Sequence, residues 1–171
     1  FRTKYPAQTP APATPTDPYA ALRARPLKMP VLAPGQPCPR ESGRLVSPSF
    51  GEALGPGPVY PVGLGSEGVM DLRGATNEGG WLLVKVLWVG APSFRGPVLI
   101  RGRQIDGTGE MRFEQGANPQ SELKLHTNDR PPDASGWTDW PSYTRLRAPG
   151  CYAYQVDAPG FTLVIPFEAR N

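Results

Sequence analysis

The stretch that decides the fold is CYAYQVDAPGFTLVIPFEA, residues 151–169. Every second residue from Phe161 to Phe167 is apolar, whereas Thr162 and its neighbours two apart lie on the opposite face. This two-residue alternation is typical of a half-buried strand. Between the two apolar runs, DAPG has proline second and glycine fourth, which is a turn composition. We therefore predict a C-terminal β-hairpin, with Pro166 placing the last strand at an edge or marking a bulge.

Short runs that alternate in this way, separated by glycine and proline, begin at about residue 56. In WLLVKVLWV, residues 81–89, one face is wholly apolar and the other carries Lys85. No 3.6-residue periodicity of this quality occurs in this part of the chain. The candidate strands are 58–62, 81–89, 97–105, 110–115, 122–128, 142–147, 151–157 and 161–169. Short strands at this spacing predict an all-β sandwich or barrel.

Residues 1–37 differ in composition from the rest. Ten of the 23 prolines fall by residue 40, and the first 37 residues carry five basic side chains against Asp17 alone. Proline fixes φ and lacks a donor N–H, so we predict an extended arm. Asp17 and Pro18 can begin a short helix over 17–25. The arm is either a solvated linker or a segment attracted to an acidic partner or a membrane surface. It has too little apolar content to fold alone, so it is either mobile or laid across another surface.

Several short motifs resemble a diffuse set of uncharacterised secreted bacterial proteins. They are Cys-Pro at 38–39, the strand at 81–89, GPVLIRGRQIDG at 96–107 and APGCYAYQVDAPGF at 148–161. The resemblance implies an antiparallel, immunoglobulin-like β-sandwich over residues 38–171 and an extracytoplasmic location. It carries no known activity, and residues 1–37 fall outside it.

The chain has two cysteines, Cys38 and Cys151. One stands just before the predicted sandwich and the other at the start of a central-looking strand, which suits a disulfide between the incoming chain and the sheet. Such a bond persists in oxidising compartments. The alternative is a pair of buried free thiols in a cytosolic protein.

Few motifs in the sequence could indicate catalysis, a metal site or a cofactor. GLGSEG, residues 63–68, matches a dinucleotide-binding pattern but is followed by further glycines and no helical stripe, so we interpret it as a turn. His126 alternates with leucines and is expected on the solvent side of a strand. The acidic loop at 128–140 lacks calcium-loop spacing. We therefore expect no catalytic residue, metal or cofactor.

GWTDWPSY, residues 136–143, places Trp137, Trp140 and Tyr143 three residues apart. Aromatic side chains on a loop can bind sugar rings or a partner protein. They can equally fold inward over the end of the sandwich. These three residues are the candidate ligand-binding or partner-binding site.

The leading functional prediction is a non-enzymatic extracytoplasmic structural or interaction module, an accessory subunit of a bacterial envelope assembly. Its arm would contact a protein partner or a second copy through its basic residues, Arg2, Lys4, Arg23, Arg25 and Lys28. The alternative is a carbohydrate-binding module that uses the loop aromatics, and the third reading is a hydrolase with a carboxylate site. Nucleic-acid binding and a membrane span find no support.

Arginine exceeds lysine 14 to 4, which is typical of a GC-rich or thermophilic source.

Overall fold

The computed structural model describes residues 14–171, and this part of the chain is an all-β sandwich. One short helix, α1, spans Ala20–Arg23. The strands are β1 Arg44–Ser47, β2 Gly51–Ala53, β3 Val59–Val62, β4 Val69–Asp71, β5 Thr76–Glu78, β6 Trp81–Gly90, β7 Pro97–Gln104, β8 Arg112–Phe113, β9 Leu123–His126, β10 Thr138–Leu146, β11 Gly150–Ala158 and β12 Phe161–Arg170.

The strands form two packed sheets. The first has seven strands in the order β1-β2-β3-β6-β10-β8, with β5 paired to one end of β6. The second has five strands in the order β4-β12-β11-β7-β9. Neighbours are antiparallel except for β4 and β12, which run parallel. The all-β sandwich prediction is confirmed, while the immunoglobulin-like assignment stays a prediction.

The predicted C-terminal hairpin is present as β11 and β12. The two strands pair without a break from Gly150 opposite Ala169 to Ala158 opposite Phe161. Pro166 pairs with Ala153 on this side, and β4 reaches β12 only from residue 168 onward. At Pro166, β12 therefore has no second neighbouring strand to which an N–H group would have to donate. This is the setting expected of a proline next to a sheet edge.

The core between the sheets is built from the alternating apolar residues that the sequence shows. Trp88 of β6 meets Tyr154 of β11 edge-on, with ring centroids 5.1 Å apart. Tyr154 also stacks on Phe167 at 4.7 Å, and its hydroxyl shares a 2.7 Å hydrogen bond with Thr144. Burial raises the pKa of the Tyr154 hydroxyl well above its usual value. These rings pack the two sheets against each other.

The second face of β11 is buried as well, because the N-terminal segment crosses it. We name residues 17–38 the strap. Its Leu22 and Met29 are 3% and 7% exposed, and Met29 packs on Ile105 and Ala153. The strap therefore lies across the sandwich and contributes buried side chains, which the composition of residues 1–37 did not predict. The predicted helix over 17–25 shrinks to the four residues of α1.

GLGSEG forms the turn between β3 and β4 and begins no helix. Its three glycines have positive φ angles of 108°, 62° and 66°. Glycine adopts such angles at little steric cost, which explains the residue type at these positions. The interpretation of this motif as a turn is confirmed.

Candidate interaction surface

The predicted disulfide is present and fastens one end of the strap to the sheet. Cys38 and Cys151 are bonded, with their Cα atoms 5.5 Å apart and 113 residues between them in sequence. Closing a loop of this length stabilises the fold by about 4–5 kcal/mol in the chain-entropy model. Cys151 lies at the start of β11 on the face that the strap covers.

The buried side chain of Gln155 forms hydrogen bonds with main-chain groups of the strap. The Gln155 Oε1 atom accepts a 2.8 Å hydrogen bond from the Lys28 N–H, and its Nε2 donates to the Pro26 carbonyl at 3.1 Å. Farther along, the Leu32 N–H donates to the Ile105 carbonyl at 2.8 Å. Because all three bonds go to main-chain groups of the strap, they fix its path irrespective of the side chains that point outward.

A buried carboxylate anchors the first half of the strap. Asp157 is fully buried and lies 2.8 Å from an Arg101 nitrogen and 3.6 Å from an Arg25 nitrogen. Thr162 also donates to it at 2.6 Å. Burial by itself raises the pKa of Asp157, but the hydrogen bonds from Thr162, Arg101 and Gln155 outweigh it and hold the pKa below its ordinary value. Asp157 is therefore ionised at neutral pH.

Arg101 links this carboxylate to the strap. Its guanidinium donates to the main-chain carbonyls of Arg23 and Arg25, at 3.3 Å and 2.9 Å. These carbonyls lie at the end of α1 and just after it, where helical hydrogen bonding leaves acceptors unpaired. One arginine thus ends the helix and ties it to the sheet.

Two of the predicted arm contacts bind their own chain. Arg23 pairs with Glu122 and Asp17, and Arg25 donates to two main-chain carbonyls in the β11–β12 hairpin. Lys28 uses its main chain for Gln155. Arg2 and Lys4 lie outside the described residues.

The outward side of the strap carries exposed apolar side chains. Leu27 and Val31 are 40% and 77% exposed. Within residues 14–171 the only other large hydrophobic side chain that is exposed is Leu45 of β1, at 67%. We call Leu27, Lys28, Pro30 and Val31 the strap ridge.

The three predicted aromatics do not form one surface. Trp140 is buried between the sheets, and its Nε1 donates to the His126 carbonyl at 3.1 Å. Trp137 is half-buried among residues that the sequence interpretation omitted, with ring centroids 6.1 Å from Phe50 and 6.2 Å from Tyr60. Tyr143 is half-buried farther along β10.

A polar cleft lies near the edge formed by β8, β9 and β10. It has a volume of about 430 Å³, and its lining includes Trp140, Glu114, Glu122 and Asp129. Burial raises the pKa of Glu114, against the opposing effects of a Tyr143 backbone hydrogen bond and the Arg145 charge. The hydrogen bond from Arg23 lowers the pKa of Glu122. The cleft is therefore lined by two carboxyl groups, one with a raised pKa and one with a lowered pKa.

His126 lies near this cleft at the end of β9, half-buried, and its Nδ1 accepts a 2.9 Å hydrogen bond from the Asn128 N–H. Asp129 and Asp133 accept hydrogen bonds from nearby main-chain N–H groups, as turn residues do. Over residues 14–171 the structure contains no group of three or more His, Cys, Asp or Glu side chains that could hold a metal ion.

No protein-family model, curated protein or solved structure matches this chain. In the described part, no helix is long and apolar enough to cross a membrane.

Sequence reasoning missed the residues that hold the strap. Gln155 and Asp157 alternate with tyrosine and valine along β11, a pattern that predicts a solvent-facing side. The signal that was available is the disulfide, because a bond from Cys38 to this face requires the incoming chain to cross it.

Proposed function

We propose that the protein is a non-enzymatic interaction module of the extracytoplasmic space, an accessory subunit that binds a partner protein through the strap ridge. The observation that carries the proposal is the exposure of Leu27 and Val31 on a segment that is otherwise fixed. Single exposed apolar residues are common on protein surfaces, so the argument depends on their setting.

The strap ridge is preorganised. The disulfide, the two Gln155 hydrogen bonds and the Asp157 ion pairs hold the segment beneath it. A segment that is already ordered loses little conformational entropy on binding, which raises affinity without additional contacts. Proline-containing extended segments are a recurrent recognition element for apolar, aromatic-lined grooves. The partner chemistry that fits is therefore an apolar groove on a protein.

The disulfide supports the proposed location. Bonds of this kind persist in secreted and envelope proteins and are rare in reducing cytosol. The proposal of an extracytoplasmic module rests on this chemistry, together with the resemblance to secreted bacterial proteins described above.

Site-specific photo-crosslinking tests the proposal. A photoreactive amino acid replaces Val31 in one variant and Leu45, the matched exposed position on β1, in another. We expect a discrete crosslinked protein from position 31 in the native source, and loss of that product when Leu27→Ser is added. Equal crosslinking from both positions, or none from position 31, would contradict the proposal.

Carbohydrate binding is the second candidate, and the polar cleft favours it. The carboxylates that line this cleft are groups that can hydrogen-bond the hydroxyls of a sugar. A hydrolase reading rests on the same cleft, since Glu114 and Glu122 have pKa values shifted in opposite directions. A glycan array with Glu114→Gln as control separates both from protein binding: ligand capture that this substitution abolishes would replace the leading proposal.

A further inference from the structure

Arg103 of β7 has no polar partner in the described structure. It lies on the same face of β7 as Arg101, and its register partner on β11 is Ala153. Whereas Arg101 donates to three strap carbonyls and to Asp157, no hydrogen bond or ion pair from the Arg103 guanidinium to any of residues 14–171 is present. Its Nε atom is shielded from solvent and has no acceptor, as is the Nε atom of Arg101, so what sets Arg103 apart is that none of its guanidinium nitrogens has a polar partner in residues 14–171.

Such an orphan donor has a physical cost. A buried nitrogen that loses its water without gaining an acceptor costs about 1–3 kcal/mol, and more when it is charged. Buried polar groups without partners are rare in folded proteins, and an ion or ligand is one of the ordinary explanations. A guanidinium group carries N–H donors and no acceptor atom, so its missing partner has to be an acceptor.

A cavity of about 390 Å³ lies beside Arg103, lined by Arg112, Glu110 and the loop Gly107–Thr108–Gly109 among others. Arg112 is already paired with Glu110 at 2.8 Å. The three charged side chains leave one net positive charge, and it belongs to Arg103. Gly107 and Gly109 lie against the Gln104 side chain, so close that a Cβ atom at either position would collide with it.

We infer that this cavity is an oxyanion-binding site in which the Arg103 guanidinium binds a carboxylate or phosphoryl group. The planar fork of arginine matches both groups with two parallel hydrogen bonds. Arg112, which is paired with Glu110, and the Thr108 hydroxyl also line the cavity and offer further donors. This site is separate from the strap ridge, and the inference does not depend on the proposed function.

Titration of the intact protein with inorganic phosphate, acetate and citrate tests the inference. The readout is the Arg103 Nε–Hε cross-peak in two-dimensional NMR, which needs no variant. We expect a saturable shift of this cross-peak with at least one of these anions, and the comparison among them distinguishes a phosphoryl from a carboxylate ligand. Absence of any saturable shift with all three would overturn the inference.

Two variants with opposite expected effects on anion binding make the test more specific. Arg103→Gln should weaken binding about tenfold or more, the usual effect of losing hydrogen bonds to a charged group. Glu110→Gln should strengthen it, because a repulsive carboxylate is removed and Arg112 is released. Arg73→Gln removes the same charge at a surface ion pair with Asp71 and should leave binding unchanged. Equal weakening by Arg103→Gln and Arg73→Gln would reduce the effect to net charge and contradict a specific site.

Discussion

Replacing Asp157 by asparagine tests whether the buried ion pairs hold the strap to the sheet. The side chain is fully buried and faces Arg101 at 2.8 Å and Arg25 at 3.6 Å. Removing one member of a buried pair typically costs about 3–5 kcal/mol, because the other charge stays buried without compensation. Arg101 keeps its main-chain acceptors in the strap, so we expect a loss near the lower end of this range, about 3 kcal/mol.

Denaturant and thermal unfolding at pH 7 measure the loss. In a domain of this size each kcal/mol shifts Tm by about 2–4 °C, so the Asp157→Asn variant should unfold about 6–12 °C below wild type. Asp71→Asn is the matched control, since Asp71 pairs with Arg73 at 2.6 Å on the surface. It should unfold close to wild type, because exposed pairs contribute little.

The pH dependence provides an independent check. The folded-state pKa of Asp157 is lowered, so its contribution is fully present above the unfolded pKa of about 3.9 and is lost as pH falls below it. The stability gap between wild type and Asp157→Asn should therefore narrow on acidification below about pH 4. If Asp157→Asn and Asp71→Asn unfold together at pH 7, or if the gap is independent of pH, Asp157 does not anchor the strap.

Four further outcomes are expected. Replacing Cys38 and Cys151 together by serine should lower the free energy of unfolding by about 4 kcal/mol, measured in denaturant, and added reductant should then have no effect on the variant. Met29→Ala should cost about 2–4 kcal/mol because its side chain is buried under the strap, and an unchanged denaturation midpoint would place the strap off the sheet in solution. Deleting residues 1–34 should retain the β-type circular dichroism spectrum but lower Tm and increase binding of a hydrophobic dye; an unchanged Tm would make this segment an idle linker. Glu114→Gln should raise the denaturation midpoint at pH 7, because burial opposes ionisation of the native carboxyl, with the gain vanishing in acid; a lower midpoint at pH 7 would contradict this.

The long strands could be predicted from the sequence, since each carries enough residues for alternation to be visible. β6, β7 and β12 lie within a residue of their predicted bounds. β1, β2, β4 and β5 were missed, because three or four residues hold too few alternations to distinguish a strand from a loop. Their pairing depends on neighbours far along the chain.

The strap could be predicted only in part. Proline content indicated an extended backbone, and the cysteine pair indicated its covalent link. Its path could not be found, because the residues that receive it are polar and resemble a solvent-facing row. Burial of Gln155 and Asp157 is tolerable only because main-chain groups and arginines of the strap and sheet satisfy them. Trp140 and Tyr143 are three residues apart in β10, and residues an odd number apart along a strand face opposite ways, so these two cannot share a surface.

The order in which the chain is made conflicts with the order in which its parts must meet. The strap belongs to the first part of this sequence to leave the ribosome, yet its partners, Arg101, Gln155 and the β11–β12 hairpin, come some 75 to 140 residues later. Until the hairpin is complete, Leu22 and Met29 have no apolar surface to cover, and the thiol of Cys38 has no native partner. Docking of the strap therefore cannot precede completion of the β11–β12 hairpin, and a holding chaperone or a thiol–disulfide isomerase would act most usefully in that interval.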